Sequence, residues 1–340
     1  MKILGIETSC DETSAAVVSN GATLSNVISS QTVHNYFGGV VPEIASRIHI
    51  QIISKVVKDA LNKANTTIEG IDGISVTFQP GLIGSLVVGT NFAKALSLRY
   101  NKPIIPIDHI EGHIYSGFLE GLDIEFPFIT LVVSGGHTAI FVVKSFNDFE
   151  MIGATRDDAA GEAFDKIGKL LGLGYPAGPL IDKLAKNGNP HKYHFPRGLI
   201  SSDDYDFSFS GLKTAVRYFI QKTFNGSVPE NELADLCASV QEAIVEVLIV
   251  KSQKAIEKLG INTLVIAGGV SANSRLRELA ADTFSKKGIK LIIPKIQYCM
   301  DNAAMIAILG EFKLIEKNES FNFFDYSFKA NPTPKRSKNR

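Results

Sequence analysis

The order of predicted strands and helices occurs twice along the chain, and this repetition constrains the fold more than any other feature of the sequence. In each copy, short apolar runs joined by polar turns come first, and alternating helix and strand follow. The elements of the first copy, in order, are predicted strands at Lys2–Glu7, Ser14–Val18 and Leu24–Ser29, a helix over 43–63, a strand at Ile71–Phe78, a helix at Leu82–Tyr100 and a strand at Pro103–Ile107.

The second copy starts near residue 126 and repeats the hairpin-led pattern. Its predicted elements are strands at Ile129–Val133 and Ala139–Val143, helices over 158–171 and 230–259, a strand at Leu264–Ala267, a helix that ends at 285 and a strand at Lys290–Ile293. Two such copies predict a duplicated α/β architecture of two lobes with a cleft between them. The predicted domains are a first lobe at 1–125, a second lobe at 126–300, a helix over 301–325 that returns to the first lobe, and a disordered basic tail at 331–340.

Charge and cysteine content narrow the class of protein. The 340 residues carry 35 basic and 35 acidic side chains, so the surface as a whole is not that of a nucleic-acid binder, and any RNA contact needs a local basic patch or a partner. Three widely spaced cysteines suit a reducing compartment better than a disulfide framework. Polar residues interrupt the long apolar region at 126–146, which excludes a membrane span there. We therefore expect a cytoplasmic protein.

The clearest chemical signal is the segment His109-Ile110-Glu111-Gly112-His113. In a helix this spacing places both imidazoles on one face, with Cβ atoms about 6 Å apart. Two neutral imidazoles that close together suit a divalent metal ion, although a pair of ordinary buried histidines is the simpler alternative. The pair follows the predicted strand end at Asp108, where α/β folds place their sites, and this favours ligands.

A zinc-protease site is excluded by geometry, because such sites need a glutamate directly after the first histidine. Here that position is Ile110, and Glu111 lies about 200° around the helix from His109. A metal bound by two histidines usually needs a carboxylate as well. Asp301 is the candidate, with a helix N-cap as the equally open alternative. For Asp108, an outer partner of the histidines and a loop residue both remain open.

Two polar turns are candidates for substrate contacts. Ser134-Gly135-Gly136-His137-Thr138 joins two apolar strands, and its glycines would let backbone N–H groups approach an anion, unless it is only a hairpin turn. The corresponding turn of the first copy carries Ser9, Asp11 and Glu12. Two acids there suggest a general base or cation binding, with solvated turn residues as the alternative.

Three further segments could contact a nucleotide or RNA. The glycine turn Gly268–Asn273 follows a strand and opens a helix, although it lacks the dinucleotide-binding spacing. Asp165 could bind a hydroxyl or amine, or pair with its neighbour Lys166. The stretch 183–197 interleaves basic and aromatic side chains, and it is either an RNA-binding patch or an ordinary polar surface.

Taken together, these motifs resemble the TsaD family of tRNA threonylcarbamoyladenosine transferases, in its bacterial branch. The resemblance covers residues 1–325, in order. The segments that carry it are Gly5–Thr13, Val41–Arg47, His109–His113, Ser134–Thr138, Ala163–Lys166, Gly174–Pro179, Phe209–Thr214, Gly268–Asn273 and Asp301–Ala304.

The resemblance implies a duplicated two-lobe fold of the actin/Hsp70/sugar-kinase class. It implies one divalent metal ion, Fe²⁺ with Zn²⁺ as the alternative, held by His109, His113 and Asp301. It also implies that threonylcarbamoyl-AMP is the substrate. The residues that would line this substrate are Ser134, Gly135, Gly136, His137, Thr138, Asp165, Gly178, Asp182 and Asn273.

The implied reaction transfers the threonylcarbamoyl group to N6 of the adenosine at tRNA position 37, in tRNAs that read codons beginning with adenine. Partners similar to TsaB and TsaE would help hold the tRNA, and Asp11 or Glu12 could accept the amine proton. Two alternatives stay open from the residues alone. One is a small-molecule kinase or ATPase of the same fold, and the other is a non-catalytic nucleotide-binding scaffold.

Overall fold

A computed structural model of the chain describes residues 1–121, 124–316 and 322–333. The chain divides into two compact units, the first formed by Met1–Ile124 with Pro294–Arg340 and the second by Glu125–Ile293. Each unit contains a five-stranded sheet. Of the predicted tail at 331–340, the residues from 334 onward lie outside the described residues.

The sheet of the first unit begins with three antiparallel strands and continues with two parallel ones, as the sequence predicts. Its strand order is β3-β2-β1-β4-β5. Asn20 and Gly21 both have positive φ, 51° and 76°, which suits the tight turn between the second and third strands. The strands are β1 Lys2–Glu7, β2 Glu12–Ser19, β3 Ala22–Ser30, β4 Gly73–Gln79 and β5 Ile104–Asp108.

Helices pack on both faces of this sheet because successive side chains of a strand point to opposite sides. Leu4 and Ile6 of β1 join the apolar cluster that includes residues from the first two helices. Gly5, on the other side, lies directly against the last helix. The helices of the first unit are α1 Pro42–Lys63, α2 Ile83–Tyr100, α3 His109–Tyr115 and, from the end of the chain, α9 Ala303–Ile315.

The C-terminal helix is shorter than the predicted range 301–325. It begins at Ala303 and ends at Ile315. Its apolar face ends at the same place, since Leu314 is buried whereas Ile315 is 57% exposed. Residues 322–333 then run back along the first unit without helical structure. Asn331 marks the end of this segment, where its N–H donates to the carbonyl of Phe78 at 2.8 Å.

The sheet of the second unit has the same arrangement, with order β10-β9-β6-β7-β8, three antiparallel strands and two parallel ones. This confirms the duplicated α/β pattern. Its strands are β6 Phe128–Val133, β7 Thr138–Ser145, β8 Asp148–Ala154, β9 Thr263–Ala267 and β10 Lys290–Ile292. Its helices are α4 Ala160–Leu170, α5 Gly178–Ala185, α6 Ser210–Phe224, α7 Glu230–Leu259 and α8 Ser274–Ser285.

The strand β8 and the helices α5 and α6 were not predicted from the sequence. The strand β8 is an edge strand in which only Gly153 is buried, and the exposed Asp148 and Glu150 alternate with partly buried residues, so it lacks a buried-strand pattern. The helix α5 begins inside a segment rich in glycine and proline, which indicates a loop, but a proline in the first turn of a helix is well tolerated. Among the described residues, no helix combines the length and apolar character needed to cross a membrane.

Candidate functional site

The histidine pair lies on a short helix that starts directly at the end of a buried strand. Asp108, the last residue of β5, is the N-cap of α3, because its carboxylate accepts hydrogen bonds from the N–H groups of Ile110 at 2.8 Å and Glu111 at 3.3 Å. The other carboxylate oxygen of Asp108 accepts from Gln79 at 2.9 Å. Asp108 therefore fixes the start of the helix as its N-cap, a role that neither of the two alternatives left open for it had named.

The two imidazoles of α3 share one face, as the spacing predicts. The ring centroids of His109 and His113 are 4.8 Å apart, and both side chains are buried. Glu111 points elsewhere and accepts a hydrogen bond from Lys313 at 2.6 Å. The protease geometry is thus absent.

Asp301 meets both histidines, although 188 residues separate it from His113. Its Oδ1 atom lies 3.4 Å from Nε2 of His109 and 3.2 Å from Nε2 of His113. The N-cap alternative for Asp301 is wrong, because Asn302 caps α9 by accepting from the N–H of Met305 at 3.1 Å. Asp301 is therefore free of the helix and turned toward the histidine pair.

The donor set of this cluster fits a divalent metal ion. One ligand atom from each of His109, His113 and Asp301 lies within 4.8 Å of the others. Two imidazoles and one carboxylate are a ligand set that iron enzymes use with positions left open, and imidazole also suits zinc. Both histidines are nearly inaccessible, whereas the Asp301 side chain is 23% exposed. A ligand could therefore approach from the side of the carboxylate.

The electrostatics of the cluster also favour a cation at its centre. Burial alone would raise the pKa of Asp301, but the attraction of His109 outweighs burial and holds this pKa well below its ordinary value. Burial lowers the pKa of His109, but the carboxylates of Asp301 and Glu7 raise it well above its ordinary value. Burial lowers the pKa of His113. The buried carboxylates of Asp301 and Glu7 thus favour a positive charge at this point of the site.

Glu7 belongs to this site and was not predicted from the sequence. Its carboxylate is fully buried at the end of β1, and Oε2 lies 3.0 Å from Nδ1 of His109. A charged residue at the end of an otherwise apolar strand was the available signal, because buried charges are almost always paired.

The acidic turn between β1 and β2 lies near the same cluster. Burial, followed by repulsion from Asp301 and Asp11, raises the pKa of Glu12 to about 9. Beneath the turn, the buried His49 bonds the carbonyl of Cys10 at 2.8 Å and the hydroxyl of Thr13 at 2.7 Å. A cation beside Asp301 would offset this repulsion and therefore lower the pKa of Glu12.

In the second unit, the turn Ser134–Thr138 is a hairpin turn between β6 and β7. The N–H of Ser134 donates to the carbonyl of His137 at 2.7 Å, and the N–H of His137 donates to Oγ of Ser134 at 3.1 Å. A Cβ atom at Gly135 or Gly136 would meet no atom within 4 Å. The turn thus presents bare backbone to open space. Thr138 accepts from the N–H of Ala160 at 2.9 Å, which joins the turn to the start of α4.

Asp165 and Asn273, which are also predicted substrate residues, accept hydrogen bonds from backbone N–H groups where helices of the same unit begin. Asp165 accepts from the N–H of Ala177 at 2.7 Å, just before Gly178 opens α5, instead of pairing with Lys166. Burial raises the pKa of Asp165. Asn273 caps α8 through the N–H of Leu276 at 2.9 Å.

Asp182 links the two helices α5 and α8. Its Oδ1 atom accepts from the N–H of Ser274 at 3.1 Å and from its hydroxyl at 2.7 Å. A carboxylate has about four acceptor positions, so these bonds leave room for a ligand. The hydrogen bonds of the second unit therefore join α5 to α4 through Asp165 and to α8 through Asp182, and they join the glycine hairpin turn to the start of α4.

The basic and aromatic stretch at 183–197 is less basic than its sequence indicates. Lys192 pairs with Glu232 at 2.5 Å and Asp235 at 2.7 Å, and Arg197 pairs with Glu246 at 2.8 Å. These acids come from α7, far away in sequence. The ordinary polar surface is the better interpretation of this stretch.

A family model and the relatives that match this chain carry the same description. The family model described as "TsaD: tRNA N6-adenosine threonylcarbamoyltransferase" matches residues 22–308. A protein of that name from Thermosipho africanus (strain TCF52B) is 54% identical over 321 residues, covering 94% of this chain and 96% of its own. Another from Prosthecochloris aestuarii (strain DSM 271 / SK 413) is 52% identical over 338 residues, covering 96% of this chain and 97% of its own.

Solved structures with low sequence identity resemble the chain in fold. Full-length HypF in the phosphate- and nucleotide-bound form has a TM-score of 0.61 at 14% identity, with 94% of this chain and 56% of that chain covered. The activator of the 2-hydroxyisocaproyl-CoA dehydratase from Clostridium difficile, with bound ADPNP, has a TM-score of 0.53 at 15% identity, covering 95% and 99%. With the two sheets, these neighbours establish the actin/Hsp70/sugar-kinase-like fold class.

Proposed function

The chain belongs to the TsaD family of tRNA N6-adenosine threonylcarbamoyltransferases, and from that premise we propose that it modifies adenosine 37 of tRNA with one divalent metal ion held by His109, His113 and Asp301. The donor would be threonylcarbamoyl-AMP and the acceptor N6 of the adenosine next to the anticodon. The observation that carries the metal assignment is the convergence of Asp301 on both Nε2 atoms of the histidine pair.

The metal we propose is Fe²⁺, with Zn²⁺ as the alternative, because two imidazoles and a carboxylate suit either ion. When bound, the ion supplies Lewis-acid polarisation of the carbonyl of the threonylcarbamoyl group. His109 and His113 hold their side of the site closed to water, since both are buried. The partly exposed Asp301 side chain marks the side that substrate would approach.

In the reaction, N6 of the adenine forms a bond to the carbamoyl carbon, and the bond from that carbon to the phosphate oxygen of AMP breaks. AMP is a good leaving group and the amine is a poor nucleophile, so positioning of the two is a large part of the catalysis. The proton lost from N6 needs an acceptor. We assign the role of proton acceptor to the acidic turn, to Asp11 or to Glu12. The pKa of Glu12 is raised to about 9, and a neighbouring cation would lower it.

The AMP portion would bind to the second unit, along Ser134, Gly135, Gly136, His137, Thr138, Asp165, Gly178, Asp182 and Asn273. The exposed backbone of the glycine turn suits a phosphate. The carboxylates of Asp165 and Asp182, held by helix N–H groups, suit ribose hydroxyls. These residues would therefore provide the positioning that the reaction needs.

The tRNA itself would be held with the help of partner proteins. The chain has equal numbers of acidic and basic residues, and Lys192 and Arg197 of the best basic stretch are already paired with acids. Phosphate binding depends on unpaired, clustered basic side chains. We propose TsaB-like and TsaE-like partners for this role. The kinase and scaffold alternatives are not favoured, because relatives named as transferases match at high coverage.

The deciding experiment measures threonylcarbamoyl transfer from synthetic threonylcarbamoyl-AMP to unmodified tRNA, with TsaB and TsaE homologues present and with or without a chelator. Modified adenosine is detected by mass spectrometry of the nucleosides. We expect product that disappears on chelation and returns with added metal. His109→Ala should abolish transfer, whereas the exposed His191→Ala, as matched control, should retain it. Full activity of His109→Ala would refute the metal site, and ATP turnover without tRNA would favour the kinase.

A further inference from the structure

We propose that Glu7 is a positioning residue of the metal site, which holds the Nδ1–H of His109 and thereby presents Nε2 of the same ring to the metal. This inference rests on the metal site proposed above. Imidazole has two nitrogens, and a proton can occupy either one in the neutral ring. Only a ring that carries its proton on Nδ1 has a free Nε2 lone pair for the metal, so the partner of Nδ1 selects the competent form.

The position of Glu7 is well determined by hydrogen bonds. Its carboxylate is completely inaccessible to solvent and accepts three hydrogen bonds. The donors are the N–H of Ser9 at 2.5 Å, the hydroxyl of Thr77 at 2.5 Å and Nδ1 of His109 at 3.0 Å. A buried carboxylate is costly unless its acceptor positions are filled. Ser9 and Thr77 therefore stabilise the charge that His109 then meets.

Ser9 offers the only other described acceptor for the Nδ1–H of His109, through its hydroxyl at 3.2 Å. The carboxylate is the stronger acceptor because it is charged and closer, and charge-assisted hydrogen bonds are about twice as strong as neutral ones. A carboxylate also makes the ring a better electron donor to a metal than a hydroxyl does. Glu7 rather than Ser9 should consequently determine which nitrogen of His109 carries the proton.

The second histidine of the pair is held differently. Nδ1 of His113 is buried and has no hydrogen-bond partner among the described residues. This ring is oriented by packing and by Asp301 at its Nε2 atom, whereas the carboxylate of Glu7 also holds Nδ1 of His109. The two proposed ligands are therefore not equivalent, because Glu7 accepts a hydrogen bond from Nδ1 of His109, whereas the charge of Glu7 reaches His113 without one.

The test compares Zn²⁺ affinity of the full chain and of Glu7→Gln, by competition with a chromophoric chelator. Glutamine keeps the shape but removes the charge, and loss of such an outer partner typically weakens metal binding by about 10- to 100-fold. Ser9→Ala should weaken binding by a smaller factor. The matched control is Glu242→Gln, a buried carboxylate of the second unit that pairs with Arg275. It should leave Zn²⁺ affinity unchanged even if it lowers stability.

A second measurement needs no variant. In Zn²⁺-loaded protein with ¹⁵N-labelled histidine, His109 should carry metal on Nε2 and a slowly exchanging proton on Nδ1. Equal Zn²⁺ affinity of Glu7→Gln and the unaltered chain would overturn the proposal, as would a bare Nδ1 on the metal-bound ring. If the unaltered chain itself fails to bind Zn²⁺ or Fe²⁺, the metal site fails instead, so the two failures are distinguishable.

Discussion

Gly5 and Glu7 lie two positions apart on β1, so they face the same side of the sheet, the side on which α9 packs. One position must lack a side chain, and the other must have a long one. A Cβ atom on Gly5 would lie 2.3 Å from the carbonyl oxygen of Ala303, so no side chain fits there. Glu7, in contrast, needs a side chain long enough to reach His109. The absence of a side chain on Gly5 lets α9 approach the strand, and the side chain of Glu7 holds His109, the proposed ligand, opposite Asp301.

Gly5→Ala should therefore destabilise the chain and weaken its metal site. The clash is with backbone of α9, which cannot move aside as a flexible side chain could. Overpacking of this kind typically costs about 1–3 kcal/mol, and a shift of α9 would carry Asp301 with it. Urea unfolding and Zn²⁺ affinity are the two measurements.

The control for this prediction is Gly211→Ala, because a Cβ atom at Gly211 meets nothing within 4 Å. Gly211 lies in the first turn of α6, where alanine is no worse than glycine. We expect its stability and Zn²⁺ affinity to match those of the unaltered chain. An equal loss in both variants would show that the approach of α9 to Gly5 is not the cause.

At the scale of elements, the site depends on where two helices begin. Asp108 starts α3 and places His109 in its first turn, and Asn302 starts α9 directly after Asp301. Asn302 also donates to the carbonyl of Met300 at 2.8 Å. The N–H of Ala303 is bonded to the hydroxyl of Ser14 at 2.9 Å. These bonds therefore fix the backbone on both sides of Asp301, the proposed ligand.

Asn302→Ala should lower the free energy of unfolding by about 1 kcal/mol, the usual cost of a lost N-cap, and should also weaken Zn²⁺ binding. Asn302→Ser should recover both, since serine is a good cap. Asn273→Ala is a matched control, because Asn273 caps α8 in the same way in the second unit. It should lose similar stability and keep its Zn²⁺ affinity. If both alanine variants bind Zn²⁺ normally, the cap of α9 has no part in placing Asp301.

At the scale of the whole molecule, the proposed metal site and the proposed AMP site lie in different compact units. Every proposed metal ligand, together with Glu7 and the acidic turn, belongs to the first unit, which is completed by residues from the end of the chain. The glycine turn and the capped helices of the proposed AMP site belong to the second. The duplicated fold would thus place the two proposed chemistries on two equivalent sheets.

Metal binding should consequently protect the first unit from local opening. A ligand at 100 times its Kd stabilises the bound form by about 2.7 kcal/mol. In hydrogen exchange followed by mass spectrometry, we expect Zn²⁺ to slow exchange most in peptides from β1, α3 and α9. His109→Ala should abolish this effect. Protection that appears mainly in α4 or α8 would contradict the assignment of the metal to the first unit.

The sequence by itself determined the elements that depend on local pattern. Alternation and helical spacing predicted most of the strands and helices, and the repeated order predicted two similar sheets. The spacing of His109 and His113 predicted a shared face because four residues make about one helical turn. These inferences succeed because each depends on neighbours within a few residues.

Only the tertiary structure decided which distant groups meet. It brought Asp301 to the histidines, placed Glu7 behind His109, and used the acids of α7 to neutralise Lys192 and Arg197. No local pattern distinguishes Asp301 from a helix cap, since both interpretations suit an aspartate before a helix. The difference lies in a contact across 188 residues, which forms only when α9 packs against β1 and places Asp301 beside α3.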